Sequence, residues 1–296
     1  MPTSLTFEEH GEGIGDAWTV LRDNAARAGL AAPVPTCPGW TVRELVAHQG
    51  MVHRWAAGCV RGERDDDGCD AIEQEGLEAP DLLAWLDEGA KDLLSTLAFA
   101  PEDLDVWFFL RDSPGPRNGW ARRQCHETTI HAVDAMSAAR GAAPVAAETW
   151  IRPGLAADGV DELLMGFVPR RRTGLALPLP QTVVVRTTDT GNVWTLRVGD
   201  GRTTASVGEP GQTGAGRSRG TAASELVAGS ELVDGSELVD GSELVDGSEL
   251  VDGSELVEIS GTAAQVYLAL WNRGDEISCS DPDLLSRWRT DVQVNW

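Results

Sequence analysis

The string Cys125-His126-Glu127-Thr128-Thr129-Ile130-His131-Ala132-Val133-Asp134 sets a carboxylate and an imidazole four residues apart. On a helix that spacing turns about 40° net and rises about 6 Å, so Glu127 and His131 project from one face. A carboxylate and an imidazole side by side are two of the three protein ligands of a catalytic zinc site, whose fourth position stays open. The string is not the His-Glu-x-x-His motif of metalloproteases, because three residues rather than two separate Glu127 from His131. His126 and His131 are five apart, about 140° around a helix, and cannot both face one ion.

A third ligand must come from another element, and the remaining imidazoles are His10, His48, His53 and His126. Thr41-Val42-Arg43-Glu44 has the pattern of a capping box, opening a helix over about 41–61. Leu45, His48, Val52 and Trp55 recur along it at spacings of three and four, which turns His48 toward the interior. His53 lies off that stripe beside Arg54, and His10, near the start of the first helix, reads as solvated. On spacing alone two readings stand: a His48/Glu127/His131 metal site, or a buried polar network without metal. In the first, the open position takes water for hydrolysis, or a thiol that zinc converts to thiolate at neutral pH.

The elements that must position these groups fall into two sets. Helices are predicted over about 8–29 (Ile14, Trp18, Leu21 and Ala25 on one face), 41–61, 81–98 and 119–140. Pro33, Pro35 and Pro38 stiffen the first connection, and the acidic stretch 61–78 reads as loop. Four helices within one block suggest an antiparallel bundle, in which inward side chains of facing helices can build a metal site. Residues 148–167 form a further helix leading out. Beyond Pro178 the pattern becomes β-rich, with strands over 181–187, 193–198, 203–207 and 257–260 and a turn at Asp189-Thr190-Gly191-Asn192. Helices follow over 262–272 and 282–289. This gives an α + (α+β) chain, divided into residues 1–170 and 178–296.

Residues 229–252 are four perfect copies of Gly-Ser-Glu-Leu-Val-Asp, with imperfect copies at 223–228 and 253–258. A period of six rotates about 240° on a helix and makes no continuous apolar face, while its glycines weaken a strand. The tract reads as a mobile acidic loop inserted into the second domain. Eleven acids and no base lie between Glu225 and Glu258, so about half of the net charge of −23 is local. That balance excludes general nucleic-acid binding, which needs clustered cations. Five cysteines without CxxC spacing argue against a disulfide framework or a zinc finger. With no stretch of membrane-spanning length and no leader pattern in residues 1–30, a soluble cytoplasmic protein is expected. Oligomeric state has no signature in this sequence.

Cys37-Pro38-Gly39-Trp40-Thr41-Val42-Arg43-Glu44-Leu45-Val46-Ala47-His48, followed by His53-Arg54-Trp55, resembles the N-terminal signature of the mycothiol-dependent maleylpyruvate isomerase family. His126 through Asp134 resembles its second signature, and Ala156-Ala157-Asp158-Gly159-Val160-Asp161-Glu162-Leu163 its bridging helix. Gly261-Thr262-Ala263-Ala264, Leu270-Trp271-Asn272-Arg273, Asp283-Leu284-Leu285 and Trp288 are similar to its C-terminal domain. The resemblance implies a DinB-like four-helix bundle, then a small α+β domain similar to sterol carrier protein. It implies a metal triad at His48, Glu127 and His131, and a C-terminal arginine near the active site at Arg273, where Asn272 replaces the usual preceding glycine. Asp134 could orient a ligand from behind.

The expected function is therefore an enzyme using Zn2+, or another divalent ion, to activate mycothiol for isomerisation or S-transfer on a small electrophile. Arg273 would position a carboxylate of that electrophile. Two alternatives use the same residues: a non-catalytic metal or ligand binder, and a zinc-water hydrolase with His53 or Asp134 as its base.

Overall fold

The computed structural model describes residues 5–110, 114–170, 175, 180–199, 203–208 and 255–294. The repeat at 223–258 lies outside the described residues except for its last four positions, 255–258, which enter a strand.

The N-terminal part is helical: α1 Phe7–Ala28, α2 Val42–Val60, α3 Cys69–Glu78, α4 Leu82–Phe99 and α5 Pro116–Arg140. Each boundary has a local cause. Thr6 and Glu9 close a reciprocal cap on α1, and Glu44 accepts the Thr41 N–H at 2.6 Å ahead of α2. Asp81 caps α4, whereas Pro116 supplies the fixed φ that starts α5 and Gly141, at φ 76°, ends it. The long helices pack as neighbours, α1 along α5 and α2 along α4, with α2 also against α5. Leu21, Leu45, Val46 and Leu86 fill one core there, and Ile14, Leu93, Leu97 and Trp120 another. Each such buried side chain contributes about 1.5–3 kcal/mol.

Two readings of this part are corrected. The stretch 61–78 is not all loop, because Cys69–Glu78 is helical; Ile72 and Leu77 pack on the α2/α4 core while Asp70, Glu75 and Glu78 face outward. Three inward positions in a ten-residue helix leave too faint a period to see. The helix expected over 148–167 begins instead at Pro153, after an extended segment, as α6 Pro153–Asp161. It then widens to π geometry over Glu162–Phe167, where the Val168 N–H reaches back to Leu163 at 2.9 Å.

The second part is a five-stranded mixed sheet of order β3-β2-β1-β4-β5, with β1 Gln181–Thr187, β2 Val193–Val198, β3 Thr204–Gly208, β4 Glu255–Gly261 and β5 Ser278–Cys279. β1 pairs antiparallel with β2 and parallel with β4. Alternate residues Val183, Val185, Trp194, Leu196, Val257 and Ile259 turn to the side covered by α6 and by α7, Ala263–Leu270. α8, Pro282–Asp291, adds Leu284 and Trp288. No helix among the described residues is long and apolar enough to cross a membrane.

The α6/α7 crossing is close at Gly159, where a Cβ would lie 2.3 Å from Tyr267 Cε2 and 2.8 Å from His126 Nδ1. Overpacking of this kind costs about 1–3 kcal/mol, so Gly159→Ala is expected to lower Tm by about 3–10 °C in a thermal melt. An unchanged melt would show that the crossing yields.

Candidate metal centre

The cap at Thr41 and the packing of α2 on α5 decide where the three candidate ligands point. His48, Glu127 and His131 each offer one ligand atom, and all three atoms lie within 4.8 Å of one another. His131 Nε2 is 3.2 Å and His48 Nε2 3.8 Å from the same oxygen, Glu127 Oε1. Tetrahedral zinc with bonds of about 2.0–2.1 Å separates its ligands by about 3.4 Å, which these two distances bracket.

The donor chemistry also fits a cation. His131 Nδ1 lies 3.0 Å from Asp134 Oδ2, so in the neutral imidazole its one proton sits there and Nε2 is left as an acceptor. Glu127 Oε1 is an acceptor too. Two acceptors 3.2 Å apart need a proton or a metal ion between them. Glu127 Oε2 is meanwhile committed to Arg123 Nη2 at 3.0 Å. Arg123 in turn donates through Nη1 to Glu162, and Arg123 and Glu162 are both fully buried. His48 Nδ1 has the Glu73 carboxylate 4.0 Å away.

Burial alone would raise the Glu127 carboxyl, but the His131 and His48 imidazoles beside it and the Arg123 charge hold it well below the usual range. Burial pulls the His131 imidazole down, yet its bonds to Asp134 and Glu127 raise it to about 9. In metal-free protein that bound proton stabilises the fold fully below the unfolded value of about 6.5, and the stabilisation is lost as pH rises through 9. With chelator present, stability is expected to fall by roughly 3 kcal/mol between pH 6 and pH 9.5, and the fall should vanish with zinc. Urea midpoints at the two pH values, with and without the ion, measure it.

The centre opens on a cavity of about 860 Å³. Its walls come from the loop 35–40, from α2 and α5, from the turn after α7, and from the end of α8. Trp40 covers the imidazoles, edge-on to His48 at 5.0 Å between centroids and nearly parallel to His131 at 6.2 Å. Arg273 lines this cavity, but its guanidinium is paired with Asp134, Nε to Oδ1 and Nη2 to Oδ2, both at 2.9 Å. Asn272 has φ 63°, the one non-glycine residue with positive φ among the described residues. It therefore keeps the conformation a glycine would adopt there, which asparagine tolerates better than most.

The other imidazoles lie elsewhere. His126 Nε2 is 2.8 Å from Asp158 Oδ2 and His10 Nε2 3.1 Å from the same oxygen, which also accepts from Arg122 Nε at 3.0 Å. His10 is thus buried rather than solvated, because α1 lays it against the α6 carboxylate. His10, His126 and Asp158 have metal-like spacing too, but Arg122 already supplies the positive charge. His53 is fully buried with Nε2 3.0 Å from Thr128 Oγ1, and burial lowers its imidazole to about 3. Sequence reasoning missed Arg123, Glu162 and Cys37. Arg122-Arg123 facing Asp158, Asp161 and Glu162 across 36–39 residues was the available signal.

The model of the mycothiol maleylpyruvate isomerase N-terminal domain matches residues 12–136, and that of the MDMPI C-terminal domain matches 154–278. Two solved structures, the mycothiol-dependent maleylpyruvate isomerase and a histidine-to-alanine mutant of it, share the fold. They cover 95% of this chain and 96% of their own at TM-scores of 0.55 and 0.56, with 15% identity. No curated protein matches. The chain belongs to the mycothiol-dependent maleylpyruvate isomerase family.

Proposed function

We propose that the protein is a metal-dependent, mycothiol-using isomerase, with S-transfer as the related reaction open to the same centre. The observation that carries this is the meeting of His48 Nε2, Glu127 Oε1 and His131 Nε2 beside the cavity. These three residues would hold the ion, zinc or another divalent metal suited to nitrogen and oxygen donors. When bound, such an ion supplies the positive charge that keeps a thiol as thiolate at neutral pH. In this reading residues 1–170 act as a DinB-like four-helix bundle carrying the ligands. Residues 178–296 act as a sterol-carrier-like domain around the 223–258 insert.

The chain's own groups do the rest. Arg123 fixes the second oxygen of Glu127, leaving the first to face the imidazoles. Trp40 shields the centre from water and presents a flat wall to a planar substrate. The thiol sulfur adds to one carbon of a cis double bond conjugated to a carbonyl, and the electron pair moves onto the carbonyl oxygen. The new single bond rotates, and loss of the same thiolate restores the double bond as trans. In S-transfer the adduct is protonated and released instead.

A hydrolytic reading has less support, since His53 is bonded to Thr128 away from the cavity and Asp134 is occupied by Arg273. Zinc-loaded protein should isomerise maleylpyruvate with mycothiol and lose that activity to a chelator. A parallel conjugation assay with a general electrophile separates isomerase from transferase. Zinc-loaded protein that performs neither reaction would overturn the proposal.

A further inference from the structure

Asp134 is fully buried, and its carboxylate meets partners from three parts of the chain. On its own helix, one turn earlier, is His131, with Nδ1 3.0 Å from Oδ2. From the loop before α2, Thr36 Oγ1 donates to Oδ1 at 2.6 Å and the Cys37 thiol to Oδ2 at 3.3 Å. From the turn after α7, Arg273 takes both oxygens with a parallel pair of N–H donors. A bidentate guanidinium fixes the plane and the position of a carboxylate, not just its charge.

Arg273 is itself held from behind. Its N–H reaches Leu268 O at 2.7 Å, its Nη1 reaches Trp271 O at 2.9 Å, and its Nη2 lies 3.3 Å from the Cys37 sulfur. Asn272, in its left-handed conformation, donates through Nδ2 to Val292 O at 3.0 Å, tying the turn to the end of α8. The arginine is therefore a strut with its charge already matched.

We infer that Asp134 is the positioning residue of the metal centre, and that Arg273 acts on the chemistry through Asp134 rather than by binding substrate. The inference rests on the metal and thiol reading above. Asp134 sets which nitrogen of His131 carries the proton, and so which one is free for the ion. Arg273 sets where Asp134 stands. Through this pair, the turn after α7 orients a candidate ligand on α5.

The test uses the full-length protein, with zinc affinity measured by chelator competition and with the visible absorption of its cobalt form. Asp134→Asn keeps the shape and removes the charge; it is expected to weaken zinc binding about 10–100-fold and to shift the cobalt bands. Arg273→Lys keeps the charge and loses the fork. It is expected to shift the cobalt bands and to lower kcat equally for acidic and neutral electrophiles, with KM within about twofold. This second variant also carries the test if Asp134→Asn fails to fold. The inference is overturned if Arg273→Lys raises KM for the acidic electrophile alone and leaves the cobalt spectrum unchanged, or if Asp134→Asn folds and binds zinc like the wild type. Wild-type protein that takes up no zinc would remove the metal reading and this inference together, so the two failures are distinguishable.

Discussion

His131→Ala is expected to purify with less than about a tenth of the wild-type zinc content and to lose thiol-dependent activity by at least about 10³-fold. Structural zinc sites of four ligands bind with about 10–16 kcal/mol, so one ligand of three carries on the order of 3–4 kcal/mol, or about 10²–10³ in affinity. The loss is compounded here, because Glu127 Oε1 would keep one imidazole neighbour, at 3.8 Å, in place of two. Elemental analysis of dialysed protein gives the content, and chelator competition gives the affinity. The control is His126→Ala, five residues along the same helix, which should keep its zinc while losing stability through Asp158. Equal metal content in His131→Ala and wild type would remove the site.

Arg123→Met is the second large effect, and it acts on the fold. Arg123 lies between two carboxylates, Glu127 and Glu162, with all three groups nearly or fully excluded from solvent. Removing the cation leaves Glu162 buried without its partner, and breaking a buried pair in that way costs about 3–5 kcal/mol. Urea denaturation should show that loss directly. In Arg123→Met/Glu162→Leu the stranded charge is gone, so more than about half of the stability should return. Zinc affinity should not return with it, because Glu127 still lacks the donor that fixes its second oxygen. A single variant within about 1 kcal/mol of wild type would mean that water reaches Glu162.

The ligand geometry was legible because a helix converts spacing into direction. A step of four positions from Glu127 to His131 puts them on one face, a step of five from His126 to His131 puts those apart, and the stripe through Leu45 and Val52 turned His48 inward. The helical first part and the sheet of the second followed from the same periodicities. What stayed hidden were partners distant in sequence. Nothing near Asp134 announces Arg273, 139 residues later, and nothing near His10 announces Asp158. α5 was read as a helix over 119–140, but which elements it packs against was hidden, since its residues from Gly119 to Asp134 are all buried, polar and apolar alike, and it shows no apolar stripe. A helix surrounded on every side has no solvent face to write into the sequence. α3 was missed for the opposite reason, because it buries too little.

The burial of α5 on all sides bears on how such a chain can diverge. Arg122 answers to Asp158 and Asp161, Arg123 to Glu162, and His126 to Asp158 and Tyr267, all from beyond the helix itself. An exchange of α5 alone between relatives would break these matches at once, each carboxylate pair at the cost of a stranded buried charge. Substitutions at these α5 positions are therefore expected to find their compensation on α6, on the π turn that follows it, or on α7.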